Sequence, residues 1–194
     1  MIRGYGPFSL LWLSICWVIT KILFPGARIV RFPLFIKGRR NIKFGRGFVS
    51  GPFCRIDYVG PRISGAALCI GRNVQINDSV HIACAVHVSI GDDTLIASRV
   101  FISDHNHGSF PSEPEFTVPV AKRAISADPV YIGNNVWIGE GVAILPGVSI
   151  GDNCIIGANS VVTRNIPKNC IAVGVPAKPI KRFSCSSIRW ESLS

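Results

Sequence analysis

Residues 132–167 read IGNNVW, IGEGVA, ILPGVS, IGDNCI, IGANSV and VTRNIP, six consecutive hexapeptides that each begin with Ile or Val. The same rhythm occurs upstream, as IGRNVQ, INDSVH and IACAVH from Ile70 and, after a two-residue slip, as IGDDTL and IASRVF. An α-helix with 3.6 residues per turn cannot keep a period of six on one face. Short strands joined by turns can do so. The period therefore predicts a β-solenoid.

The other hexad positions define the cross-section. The second position is Gly in six of the eleven hexads, and the fifth is small or β-branched in all of them. We predict that first and fifth positions point inward and that Gly, Asn or Asp occupies the corners, where the backbone is unusual. Three strands close a triangular coil of about 18 residues, and stacked coils form a parallel β-helix. Fragments of the repeat at Phe44-Gly45 and Ser50-Gly51 place its start near Ile42.

Composition excludes disorder and leaves three kinds of partner. The 194 residues are 48% hydrophobic and 16% charged, and 21 Lys and Arg against 11 Asp and Glu give a net charge of +10. Such a chain has enough apolar mass for a core. The positive excess implies nucleic acid, an anionic membrane face or a phosphorylated small molecule as partner. The seven Cys are odd in number and form no CxxC pair, so we expect reduced, buried cysteines of a cytosolic protein.

The N-terminal segment is apolar. Residues 8–24 read FSLLWLSICWVITKILF, followed by Pro25-Gly26. This predicts a helix that is short for a membrane span, which needs about 20 apolar residues. It either packs on the protein or on a neighbouring subunit, or lies in a membrane interface with Trp12 and Trp17 as anchors.

The hexads, together with VWIGEGVAILPGVSIGDNCIIGANSVVTRNIPKNCIAVGVPAKPIKR at 136–182, resemble the hexapeptide-repeat acetyltransferases. The similarity is greatest to the galactoside and maltose acetyltransferase group, and especially to O-acetyltransferases of bacterial surface polysaccharide, whose members share the character of residues 74–110. The resemblance implies a left-handed coil, although the period alone does not fix the hand. The expected organisation is all-β: an apolar helix segment at 1–28, a left-handed parallel β-helix at 29–183 with one inserted loop at 104–129, and a tail at 184–194.

The inserted loop is the predicted location of the chemistry. It begins with Asp-His-Asn-His-Gly, and Pro111, Pro114, Pro119 and Pro129 stiffen it. Acetyl transfer to a hydroxyl needs a base with a pKa near neutrality, which His supplies. The resemblance places a catalytic His here, and we assign this role to His105, with His107 as the alternative.

The resemblance also implies residues that bind the substrates. For the acceptor these are Asn77, beside the base, and Trp137, while Asp78 or Asp104 could orient His105. For acetyl-CoA, the implied donor, they are Trp137, Gly139, Ala158 and Thr163 along the pantetheine and Arg164, Lys178 and Lys181 at the phosphates. Glu140 stands where relatives often carry a small polar residue. In this family the sites form between neighbouring subunits, so a homotrimer is expected.

The implied function is transfer of acetyl from acetyl-CoA to a sugar hydroxyl of a lipopolysaccharide O-antigen or capsule precursor, directly in a ternary complex and with no metal. We expect the enzyme in the cytoplasm, with residues 3–31 available for peripheral contact with the inner face of the membrane. One alternative is a zinc hydratase of the carbonic anhydrase kind, with ligands from the four His: 81, 87, 105 and 107. Another is a non-catalytic basic scaffold or nucleic-acid binder, which the clustering of basic residues at the chain ends disfavours.

Overall fold

A computed structural model describes residues 6–61, 63–108 and 118–193. Arg3, Pro111 and Pro114 lie outside the described residues. The elements in chain order are α1 (Pro7–Leu23), β1 (Ile29–Val30), β2 (Leu34–Lys37), a 3-10 helix (Arg39–Asn41), β3 (Ile42–Phe44), β4 (Val49–Ser50), β5 (Cys54–Tyr58), β6 (Leu68–Ile70), β7 (Gln75–Ile76), β8 (His81–Cys84), β9 (Val88–Ile90), β10 (Leu95–Ile96), β11 (Phe101–Ser103), β12 (His105–His107), a second 3-10 helix (Val120–Lys122), β13 (Ile125–Ala127), β14 (Val130–Ile132), β15 (Trp137–Ile138), β16 (Ala143–Ile144), β17 (Ser149–Ile150), β18 (Ile155–Ile156), β19 (Val161–Val162), β20 (Cys170–Gly174), β21 (Ala177–Ser184) and β22 (Arg189–Ser192).

Three sheets form the sides of the solenoid. The first has the order β1-β4-β7-β10-β15-β18-β20-β21-β22, the second β19-β16-β11-β8-β5-β2 and the third β17-β14-β9-β6-β3. Strands from successive coils pair in parallel, so that Ile76, Ile96, Ile138 and Ile156 stack in one inward row. All four are 0% exposed. Each such side chain contributes about 1.5–3 kcal/mol by burial, which explains the strict first position of the hexad. The predicted parallel β-helix is confirmed.

Left-handed backbone and close approach of neighbouring coils occur at different positions of the hexad. The left-handed backbone occurs at the fourth hexad position, with φ of 55° at Asn73, 53° at Asn135 and 58° at Asn153. Side chains there form ladders between coils, as Asn135 donates to Asn153 and Asn153 to Asn169, each at 2.9 Å. The second-position Gly has another cause. A Cβ on Gly91 would lie 2.5 Å from the carbonyl carbon of Gly133, so Gly is needed there for close approach of the coils.

The slip after IACAVH breaks the inward rule. Val86, at the fifth position of that hexad, is 44% exposed, whereas Val88 is 0% exposed. The prediction that this fifth position points inward is therefore wrong. The two extra residues let the chain bend outward over residues 85–87 before β9 re-enters the third sheet, and this bend contributes to the site described below.

The two ends of the solenoid extend further than the hexads indicated. The first coil already includes β1 and β2, so the repeat starts at Ile29 rather than near Ile42. At the other end, β20, β21 and β22 form an antiparallel continuation of the first sheet, with Phe183 beside Trp190. The predicted tail at 184–194 thus contains a strand, because Trp190 packs edge-on to Phe183 with ring centroids 5.5 Å apart.

Helix α1 lies along the edge of the first sheet. Thr20 is buried, and its hydroxyl accepts a hydrogen bond from the amide of Val30 at 2.8 Å, a donor that the edge strand would otherwise leave unpaired. The helix ends at Leu23, with Phe24 as its C-cap, before Pro25-Gly26. At 17 residues it is about 25 Å long. None of the described helices combines the length and hydropathy that a bilayer crossing requires.

Five of the seven cysteines are buried and all seven are free thiols. Cys54 and Cys84 occupy interior positions of the second sheet, where a small apolar residue would also fit. Burial raises the pKa of the Cys54 thiol to about 11, so it stays protonated.

Candidate functional site

The corner between the second and third sheets holds the predicted base. The chain leaves β11 at Ser103, and the next residues form β12, which pairs antiparallel with β13 so that His105 faces Ala127 and His107 faces Ile125. The two limbs of the predicted loop are therefore joined by a strand pair, while residues 109–117 lie outside the described residues. His105 is held at the root of this pair.

Asp104 is the centre of the local hydrogen-bond network. Its carboxylate is completely buried and accepts hydrogen bonds from the amides of Ala85 at 2.7 Å and of Val86 and His87 at 2.8 Å. These three amides belong to the outward bend that the two-residue slip creates. Burial of a carboxylate is tolerated when several donors satisfy its oxygens, and three amides do so here.

The fourth donor to Asp104 is His105. Its Nδ1 lies 2.9 Å from Oδ1 of Asp104, and its side chain is 11% exposed. When the carboxylate accepts this hydrogen bond, Nδ1 is the donor and Nε2 is left with its lone pair. Ser103 fixes the backbone beside it, because its hydroxyl donates to the His105 carbonyl at 2.9 Å. This arrangement sets His105 up to take a proton at Nε2.

His107 differs from His105 in its surroundings. It lies two residues further along β12, is exposed, and its ring centroid is 6.5 Å from that of His105. Cys84 lies near Asp104. Burial and the charge of Asp104 raise the pKa of the Cys84 thiol, which therefore stays neutral. Of the two predicted bases, His105 has the orienting carboxylate.

The corner between the first and second sheets holds a second group of predicted residues. Asn77, Ala97, Gly139 and Gly157 follow the paired strands β7, β10, β15 and β18, and their amides each donate to the next coil at 2.8 to 2.9 Å. A surface cavity of about 360 Å³ opens here. Its lining includes Ala97, Trp137, Gly139, Glu140 and Ala158.

Small residues at this corner keep the cavity open. A Cβ on Gly139 would lie 2.6 Å from the amide nitrogen of Ala158, so no side chain can project there without displacing the next coil. Trp137, 51% exposed, forms one wall. Glu140 is turned into an ion pair with Arg99, with Oε1 and Nη2 2.5 Å apart.

The residues predicted to bind the pantetheine and the phosphates of the donor divide between the two corners. Lys181 lies in the same outward row as Trp137, since Trp137 pairs with Ile155, Ile155 with Ile171 and Ile171 with Lys181. Lys178 is on the same strand. Thr163 and Arg164, by contrast, follow β19 at the corner that holds His105, two strand spacings or about 10 Å from the end of β11.

Asn77 and Asp78 do not approach His105 within one chain, because the second sheet separates the corners. Asn77 accepts from the Gln75 amide at 3.2 Å, and Asp78 forms a 3.5 Å ion pair with Arg31. Of the two carboxylates that could orient His105, the structure brings only Asp104 to it. Sequence reasoning missed the anchoring amides of 85–87, although the two-residue slip was a visible signal.

Two of the four histidines pack against aromatic rings. His81 lies against Phe101 in a tilted arrangement with ring centroids 5.4 Å apart, and His87 lies against Tyr131 at the same distance. Within the described ranges, no three His, Cys, Asp or Glu side chains are grouped so that they could hold a metal ion. The zinc hydratase alternative has no ligand set in this part of the chain.

Comparisons with known proteins agree with this architecture. Residues 129–164 match the family model described as bacterial transferase hexapeptide (six repeats). The chain is 42% identical over 192 residues to WbbJ of Escherichia coli (strain K12), named as a candidate lipopolysaccharide biosynthesis O-acetyl transferase, covering 97% of this chain and 96% of WbbJ. It is also 42% identical to the galactoside O-acetyltransferase of the same strain over 120 residues, covering 62% and 56%.

Solved structures give the same result. A galactoside acetyltransferase in complex with coenzyme A superposes with a TM-score of 0.60 at 30% identity, covering 95% of this chain and 76% of that one. The N-acyltransferase AntD of Bacillus cereus superposes with a TM-score of 0.69 at 21% identity, covering 95% and 92%, a likeness of fold. The chain belongs to the hexapeptide-repeat acetyltransferase family.

Proposed function

We propose that this protein is an O-acetyltransferase that moves the acetyl group of acetyl-CoA to a sugar hydroxyl of a surface polysaccharide precursor, lipopolysaccharide O-antigen or capsule. The observation that carries the proposal is the buried Asp104 carboxylate holding Nδ1 of His105 at 2.9 Å. The names of WbbJ and galactoside O-acetyltransferase support the reaction and the class of acceptor.

In the proposed reaction His105 acts as general base. Nε2 takes the proton of the acceptor hydroxyl as its oxygen attacks the thioester carbonyl, the C–O bond forms and the C–S bond breaks. The proton then passes from Nε2 to the leaving sulfur, so the products are the O-acetyl sugar and CoA. Asp104 keeps the ring in one tautomer and stabilises the imidazolium that forms, as an orienting carboxylate does.

The donor is proposed to lie along the cavity beside Trp137, Gly139 and Ala158, with Lys178 and Lys181 near its phosphates. Thr163 and Arg164 belong to the other corner, the one that carries His105. A homotrimer in which one subunit's first corner faces its neighbour's second would unite both groups, so we infer that each site forms between subunits of a left-handed solenoid. Asn77 would then contact the acceptor beside the neighbour's His105.

We also place the enzyme in the cytoplasm, at the inner face of the membrane. The support is the outer face of α1, where Phe8 is 87%, Leu11 62% and Ile22 73% exposed. Apolar side chains on a helix of this length favour an interfacial position rather than a span. Basic residues of the neighbouring coils would add attraction to anionic lipid.

The test is thiol release from acetyl-CoA by purified protein with a panel of sugar acceptors. His105→Ala should lower kcat about 10² to 10⁴-fold, the usual contribution of a general base. His107→Ala is the matched control and should retain most activity. Equal losses in both variants, or no acceptor-dependent thiol release by the parent protein, would contradict the proposal.

A further inference from the structure

Two adjoining cavities lie between helix α1 and the start of the solenoid. The first, about 360 Å³, is lined by Phe8, Ser9, Trp12, Leu13, Arg31 and Pro52. The second, about 400 Å³, is lined by Leu13, Arg28, Ile29, Arg31, Val49, Gln75 and Asn77. They share Leu13 and Arg31, and we call the two together the α1 groove. Its far end is Asn77, the residue predicted to contact the acceptor.

The groove changes character along its length. The first cavity is lined by Phe8 and Trp12, the second by Arg28 together with Asn77, and Arg31 lines both. Arg31 is held in place, since Nε donates to the Ser50 carbonyl at 3.2 Å and Nη2 lies 3.5 Å from Asp78. Arg28 is exposed at the rim. One end therefore suits an apolar chain and the other an anion.

The larger of the two positive excesses of the chain lies at the same end. The first 56 residues contain ten Lys or Arg and no Asp or Glu, so residues 57–194 hold eleven of each sign and are neutral. The entire formal charge of +10 thus belongs to the segment that forms α1 and the first coils. A field of one sign over a concave surface attracts anionic ligands.

We propose that the α1 groove binds the acceptor as a lipid-linked sugar. Arg28 and Arg31 hold the phosphate or diphosphate, Phe8 and Trp12 contact the first part of the lipid chain, and the sugar lies toward Asn77. Guanidinium groups pair well with phosphate oxygens. A free sugar would use neither half of the groove, and a nucleotide-linked sugar would place a polar nucleoside against the apolar half. This inference rests on the proposed function.

The outer face of the helix fits such an acceptor. Phe8, Leu11, Trp12, Ile15, Val18 and Ile22 recur at helical spacing and are 41% to 87% exposed. This stripe continues from the apolar end of the groove. A helix lying in the interface would let the lipid chain stay in the bilayer while its phosphate reaches the two arginines.

The direct test is binding of farnesyl diphosphate, farnesol and inorganic pyrophosphate to the full-length protein, measured by calorimetry. Farnesyl diphosphate should bind at least tenfold more tightly than either of the others, because only it uses both halves. Arg28→Gln and Trp12→Ser should each weaken its binding about tenfold. Arg46→Gln, an exposed arginine of the same end outside the groove, is the matched control.

Pyrophosphate binding as tight as farnesyl diphosphate, or an equal effect of Arg46→Gln, would overturn the proposal. A second arm presents one sugar free, nucleotide-linked and prenyl-diphosphate-linked, and the last should have the highest kcat/KM. Equal values would also overturn it, while the proposed function would stand. If no form causes His105-dependent thiol release, it is the proposed function that fails, and the binding arm still decides the groove.

Discussion

Two corners of one solenoid differ in how they depart from the repeat. The corner after β7, β10, β15 and β18 keeps the hexad and offers a smooth row of small residues, from Ala97 to Gly139. The corner after β8 and β11 breaks the hexad twice, and the breaks bring Asp104 to the amides of 85–87. The regular corner presents a surface along which a long substrate can lie, and the irregular corner holds a histidine that is oriented by a carboxylate.

The first test of this difference between the corners removes the Asp104 carboxylate from the irregular corner. Asp104→Asn should lower kcat by about 10³-fold, since the amide can donate to Nδ1 and stabilise the wrong tautomer. The variant should also unfold at a lower temperature, because a charged acceptor of three amides becomes neutral.

A merely structural role for Asp104 would lower the unfolding temperature and leave the pH profile of the remaining activity unchanged. A role in positioning His105 predicts a displaced acidic limb in that profile, because a general base loses activity where it becomes protonated. Asp78→Asn is the matched control, since Asp78 lies at the other corner and contacts Arg31. It should leave the profile unchanged.

The second test asks whether the two corners act across subunits. His105→Ala and Asn77→Ala chains should each be nearly inactive, and co-refolding them in equal amounts should restore about a quarter of the parent activity. In a random trimer about one interface in four joins an intact His105 corner to an intact Asn77 corner. No recovery, with trimers confirmed by light scattering, would place the whole site within one chain.

The third test concerns the regular corner alone. Trp137→Ala should raise the KM for acetyl-CoA about tenfold, through loss of an exposed aromatic wall, with little change in kcat. Tyr131→Ala removes a similarly exposed aromatic from the third sheet and should have no such effect. A drop in kcat at unchanged KM would remove Trp137 from the donor site.

The smallest effect concerns a second histidine beside a carboxylate. His81 Nε2 lies 3.7 Å from Asp57, and burial, with the charge of Arg55, lowers the pKa of His81. The folded protein therefore disfavours protonated His81, so stability is unaffected well above pH about 6.5 and falls as the pH drops below it. His81→Phe should show a smaller decrease in unfolding temperature between about pH 7.5 and 5.5 than the parent.

Much of the fold could be predicted because burial is strictly periodic. Ile76 and Ile138 both point inward because each occupies the first position of its hexad, and this position can be read from the local sequence. Positions such as Gly91 were harder, since a turn and a close approach of coils both call for Gly. The second-position Gly reflects the coil spacing, and the left-handed turn falls two residues later, most often at Asn but also at residues such as Ser79 and Arg99.

The site could be predicted only in part. The resemblance to the family predicts His105 as the base, but the carboxylate that binds the amides of the two-residue slip depends on where the next coil passes. Nothing local in IACAVH shows that its amides face Asp104 from 17 to 19 residues later. The pairing of β12 with β13 was missed for the same reason, since it joins the ends of an irregular segment. Residues far apart in sequence set these contacts.

The three amides around Asp104 make the site observable without substrate. Most amides of the solenoid are protected by carbonyls of the neighbouring coil, but those of Ala85, Val86 and His87 are protected by a side chain. Their hydrogen exchange therefore reports when the Asp104 carboxylate moves away from these three amides. This movement also breaks its hydrogen bond with His105. The exchange rate of three backbone protons becomes a measure of how often Asp104 and His105 leave the arrangement that the structure describes.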